Sequence, residues 1–202
     1  MALDLQLFAI PQLASYVLKK AGNNIDYARD LDKITAPGTL QLHLQMIKAD
    51  PDGTPVETLN ELYNDSLNII KLYPQGHEER YNFYSKHRGY STLDYLFEKH
   101  SRSITTGKYV SFFSGHEINP GLRESACFQY MDNKQIVDFY AFIQSLEFKS
   151  LMRYYDHEDM EQTVYKLAGK EQLPLLEDEF LELKEFYHFA ESIGAFVIIK
   201  IA

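Results

Sequence analysis

The side chains best suited to chemistry gather in one stretch of the chain. Between Thr105 and Ser125 stand His116 and Glu117 side by side, Lys108 and Arg123 on either flank, and the aromatic residues Tyr109 and Phe112. An imidazole beside a carboxylate can exchange a proton, two cations can hold an anion, and rings can wall off an apolar body. His116 and Glu117 are therefore the candidate catalytic pair, and Lys108, Tyr109, Arg123 and Phe112 the candidate ligand-binding residues. They would serve a small-molecule hydrolase or transferase, or a module that binds a ligand without transforming it. The plainer alternative is a variable surface connection.

Other constellations are thinner. Metal binding needs several imidazole, thiolate or carboxylate groups converging on one point. His157 and Glu161 are four apart but lack the second histidine of a zinc-protease helix, so no metal is expected. His77 and His116 each sit in a Gly-His-Glu triplet, which fits a surface turn. Cys127, the single cysteine, lies eleven residues after His116; an activated thiolate would need that imidazole within hydrogen-bond reach, and a buried structural thiol is the simpler reading. No phosphate-wrapping, dinucleotide or nucleophile-elbow motif occurs, so no cofactor is expected.

These residues need a scaffold, and 202 residues with 45% apolar content suffice for one domain without a disulfide. Leu3, Leu5 and Leu7 alternate with Asp4 and Gln6, which predicts a strand, and Pro11 then suits the first turn of a helix carrying Leu13, Tyr16 and Val17. Leu40 to Ile47 is apolar but of undecided type. Helices are predicted over Val56 to Tyr73, Glu78 to Lys86 and Thr92 to His100. Tyr109 to Phe113 and Ala126 to Met131 read as strands. Asp132 with Gln135 resembles a capping box opening a helix that reaches Leu146, and Asp156 opens another containing Met160, Val164 and Leu167. Leu176, Phe180, Leu183, Tyr187 and Ala190 make the last amphipathic helix, stopped by Gly194. Ala195 to Ile201 is apolar except for Lys200, which predicts a strand covered on both faces. The expected fold class is α/β, with α+β as the alternative: one domain over residues 1–202, a small mixed sheet with helices on both faces, enlarged at 23–58.

Charge narrows the partners. The chain has 20 basic and 29 acidic residues, a net −9 that disfavours long bound nucleic acid. Residues 156–191 hold eleven Asp or Glu against three Lys, while Lys71 to Lys108 is net positive and rich in aromatics. The acidic helices could steer a basic protein partner, as an immunity or inhibitor protein would, and a positive middle with a negative end would allow self-association. A non-enzymatic protein-binding domain is thus the leading expectation. The opening residues lack a secretory n-region and no run reaches the ~18 apolar residues of a membrane span, which points to the cytoplasm.

Four stretches resemble a known family: Leu5 to Leu18, Ser91-Thr92-Leu93-Asp94-Tyr95-Leu96, Met160 to Tyr165, and Phe180 to Tyr187 followed by Ala190-Glu191-Ser192-Ile193-Gly194 and the terminal apolar run. They are similar to the YfbM-like family of small bacterial proteins, a domain of unknown function. The chain departs from that pattern in containing no tryptophan and in carrying Phe97 to Thr106 where the family has a Leu-Leu-Thr-Gly ending. The resemblance implies an α/β domain of bacterial type and supplies no catalytic residues.

Overall fold

The terminal apolar run is the middle of the sheet. A computed structural model describes residues 4–46, 53–76, 81–104, 109, 111–122, 127–164 and 169–201. In it β5 (Ala195–Ile201) pairs on one side with β1 (Leu5–Pro11) and on the other with β4 (Cys127–Met131). The short strands β2 (Asn82–Tyr84) and β3 (His116–Glu117) form the two edges, giving the order β2-β1-β5-β4-β3. Every pairing is antiparallel, the α+β form of the expected architecture. Ala195 to Ile199 are buried to within 1%, so the lack of alternation in this strand follows from cover on both faces rather than from parallel pairing.

Register sorts the two faces. Leu7, Phe83, Ile199, Val197 and Met131 occupy positions of one parity, and Phe8, Ile10, Ile198, Phe196 and Phe128 the other. The first face is packed by α9 (Leu173–Ser192) and α6 (Asn133–Gln144): Phe83 meets Phe186, and the Tyr187 hydroxyl oxygen lies 3.3 Å from the Met131 sulfur. Gly194, at φ +59°, ends α9 and turns directly into β5. The second face is covered by α1 (Tyr16–Asn23), α2 (Ile25–Arg29) and the 3₁₀ turn Leu31–Lys33. Lys200, the one polar residue of β5, reaches Asp32 at 2.6 Å while its stem lies over Phe128. Outside these helices pack α3 (Pro37–Met46) and α4 (Val56–Ile70), tied in where Lys20 and the Tyr27 hydroxyl both donate to Asp65, at 2.6 and 2.8 Å.

The third cluster is aromatic. α5 (Tyr90–Ile104) lies across α9 and carries Phe97 into contact with Phe112, Phe139, Phe142 and Phe180. α7 (Phe148–Leu151) and α8 (His157–Thr163) close the far side of α5.

Several local expectations give way. Pro11 closes β1 instead of opening a helix, and Leu13 is 81% exposed. The segment expected to be helical at Glu78 to Lys86 provides β2, with 77–80 outside the described residues. Of the stretch expected as a strand at Tyr109 to Phe113, the described residues 109 and 111–113 are in none: Phe112 and Phe113 form a turn, and Phe112 is wholly buried in the aromatic cluster. Leu67 on α4 and Leu72 just beyond its end are 37% and 39% exposed, because the helix turns Leu59, Leu62, Asp65, Ser66 and Ile69 inward. Among the described residues no helix is long and apolar enough to cross a membrane.

Candidate functional site

His116 and Glu117 form β3, opposite Tyr130 and Gln129 of β4. Neighbouring strand residues project to opposite faces, so the two side chains do not converge. Both are exposed, and the His116 ring lies 5.1 Å from that of Tyr130 with Nε2 3.7 Å from an Asp132 oxygen. Asp132 is committed elsewhere, since its other oxygen accepts from the Gln135 amide in the expected capping box. An exposed pair of this kind contributes little. Gly115 is what lets β3 approach: a Cβ there would sit 2.3 Å from the Tyr130 carbonyl oxygen.

Lys108 and Arg123 lie outside the described residues, as does His77. The side chains of Cys127 and His157 are likewise outside them; by register Cys127 is three residues along β4 from Tyr130, the partner of His116, at a position of opposite parity. Among the described residues no group of three His, Cys, Asp or Glu side chains is placed to hold a metal ion.

Tyr109 is the candidate that reaches a concavity. A cleft of about 330 Å³ is lined by Ser101 from α5, Tyr109, Met131 from β4, and Gln135, Asp138, Phe139 and Phe142 from α6. The α6 residues recur at spacings of three, one and three, a single helical face. Phe112 is not a wall of this space; its side chain is fully buried and its carbonyl accepts from the Tyr187 hydroxyl at 3.0 Å.

Behind Tyr109 lies a residue that motif searching did not single out. The Tyr109 hydroxyl donates to Asp94 Oδ1 at 2.8 Å, and the same carboxylate accepts from the Ser111 side chain and the Phe112 amide. Asp94 thereby pins Tyr109, Ser111 and Phe112 against α5. Burial raises its carboxyl from the ordinary 3.8 to about 6, against the opposing pull of those hydrogen bonds. Burial, then the charge of Asp94, pushes the Tyr109 hydroxyl well above its ordinary value. The signal for Asp94 was present: Tyr90, Leu93, Asp94, Phe97 and Ser101 follow helical spacing, so a carboxylate sits within the buried stripe of α5.

Because the native state holds the Asp94 proton more tightly than the unfolded chain, this group favours folding below about pH 4. That contribution is lost as pH rises through about 6. The difference is on the order of 3 kcal/mol. Wild type should therefore gain about that much stability over Asp94→Asn when urea titrations are moved from pH 7 to pH 4. A difference that stays flat would mean that the carboxyl is solvated.

The rest of the charge is partly spent inside the molecule. Lys86 meets Glu182 at 3.3 Å and Lys99 meets Asp159 at 2.6 Å, which joins the positive middle to the negative end. Arg88 pairs with Asp4 and Arg102 with Glu98. Tyr81, Phe83, Tyr90, Tyr95 and Phe97 are buried, which takes them out of any surface for stacking bases.

Against known families, residues 55–200 match the model described as Domain of unknown function (DUF1877). The chain belongs to that family. YfbM-like proteins are members of it as well, so the resemblance drawn from the sequence holds. No curated protein and no solved structure matches the chain. The matched span of this DUF1877 chain runs from α4 to β5 and contains every residue of the cleft; β1 lies before it, yet pairs in the middle of the same sheet.

Proposed function

We propose that this DUF1877 chain is a binding protein without a catalytic step of its own, and that the cleft between α5 and α6 is its small-molecule site. The observation that carries the reading is the cleft itself: about 330 Å³, at the small end of ligand sites, with an apolar floor of Met131 and Phe139 and polar groups at the rim. The hydrolase or transferase reading finds less support, because His116 and Glu117 stand apart from that cleft and from each other. A thermal-shift screen with metabolites tests the proposal, since a ligand of the native state raises the melting temperature. Compounds of cleft size should stabilise the wild type and lose the effect in Asp138→Trp, where an indole from an exposed position crosses the mouth. Shifts that persist unchanged in that variant, or none at all, overturn it.

A second reading rests on α9. Leu181 is 50% exposed, on the same side of the helix as the exposed Asp178, Glu182 and Glu185, an apolar contact point ringed by acids. That surface suits a basic protein partner of a cytoplasmic immunity or inhibitor protein, or a second copy of the chain. It is smaller than the residue count of 156–191 suggested, because Glu179 is buried and Glu182 and Asp159 are ion-paired. A salt-sensitive partner captured by wild type and lost in Leu181→Arg would favour this reading over the first.

A further inference from the structure

Resting on the reading of the α5–α6 cleft as a binding site, the geometry points to its ligand: we propose a small organic ammonium ion carried on an aromatic body. Three rings border the space, with Phe142 centred 6.0 Å from Tyr109 and 6.2 Å from Phe139. Ring faces carry negative electrostatic potential and attract cations, ammonium ions among them. The one charged side chain among the described lining residues is Asp138, exposed at the rim and without an ion pair among the described residues.

The hydroxyl and the carboxylate agree in sign. Tyr109 spends its proton on Asp94 and its oxygen already meets the Phe112 amide, so the hydroxyl has no proton to offer a ligand. Gln135 uses its own oxygen on the Asp132 amide, which leaves its NH₂ as a donor for a neutral group at the rim. An anion would meet the Asp138 carboxylate, with no cation among the described lining residues to offset it. An ammonium would meet the Asp138 carboxylate at one end and, for its aromatic body, the floor of Met131 and Phe139, which are 2% and 6% exposed.

Three probes of nearly equal shape separate these cases: phenethylammonium, 2-phenylethanol and phenylacetate. Binding is read by calorimetry and by methyl spectra of protein labelled at its five methionines, in which Met131 reports the cleft. Phenethylammonium should bind about ten-fold more tightly than the alcohol, with phenylacetate weakest, and should move the Met131 signal. Asp138→Asn should weaken the ammonium about five-fold and leave the alcohol unchanged. Phe142→Leu keeps an apolar wall but removes a ring, and should narrow the preference for the ammonium in a protein whose melting temperature confirms that it is folded. If the alcohol or phenylacetate binds as well as the ammonium and moves Met131, the cationic class is wrong and the cleft remains a binding site. If none of the three moves Met131 and the metabolite screen is also silent, both the class and the site fall.

Discussion

Phe97→Ala should lower the free energy of unfolding by about 4 kcal/mol, the largest loss expected from any single truncation in the α5 layer. The ring has no exposed surface and lies 5.9 to 6.0 Å from four others. Those four come from separate places: Phe112 from the segment pinned by Asp94, Phe139 and Phe142 from α6, and Phe180 from α9. Removing the ring leaves a hole that no single neighbour can collapse into without breaking its contacts with the others. Tilted and edge-on ring pairs add to the loss of buried area. Phe97→Leu, which keeps most of the apolar volume, should cost about 1.5 kcal/mol. Urea titration with an unchanged slope would confirm that the native state itself is weakened. The same ring backs Phe139 and Phe142, so the alanine variant should also disturb the cleft, seen as a shifted Met131 methyl signal before any ligand is added. A cost below about 1 kcal/mol would show that the aromatic layer is not a shared core.

What could be read from the residues depended on whether a pattern had room to repeat. α9 declares itself because Leu176, Phe180, Leu183, Tyr187 and Ala190 hold helical spacing over four turns and Gly194 follows. β5 is legible for the opposite reason, a run too short for a helix and too apolar for an edge. The capping box at Asp132 and Gln135 is a local exchange of hydrogen bonds, and it forms as the spacing predicts. Short elements gave no such chance. β2 and β3 have three and two residues, too few for an alternation to show. His116 beside Glu117 looked like a pair for that reason; only once they are known to be in a strand does adjacency mean opposite faces.

The cleft was half legible. Gln135, Asp138, Phe139 and Phe142 share a helical face that the sequence shows, but what lies opposite that face is set by how α5 crosses it. Acids on inward-facing helical stripes were the neglected signal. Asp94 and Glu179 each interrupt an apolar stripe, and a carboxylate in such a place is retained only where donors meet it.

Glu179 carries the second large effect. It sits between Leu176 and Phe180 on α9 and is 3% exposed. Its carboxylate accepts from the Ser85 hydroxyl and, at 3.3 Å, from the Gly89 amide, with the His87 amide as a further donor. Those residues form the turn that leads from β2 into α5, a turn in which Arg88 takes φ +57° and Gly89 has no room for a Cβ, the nearest atom being Leu176 Cδ1 at 2.6 Å. Burial raises the Glu179 carboxyl above its ordinary value although all three donors pull the other way. Glu179→Ala leaves the buried Ser85 hydroxyl and Gly89 amide unmatched, each worth about 1 to 3 kcal/mol, and releases a turn held in an unfavourable backbone conformation. The variant should lose about 3 kcal/mol, with faster hydrogen exchange concentrated at residues 85–93. Asp178→Ala, one residue away and exposed, should change stability by less than about 0.5 kcal/mol. Equal effects at the two positions would mean that the turn holds itself, and that α5 reaches its place over the cleft without help from α9.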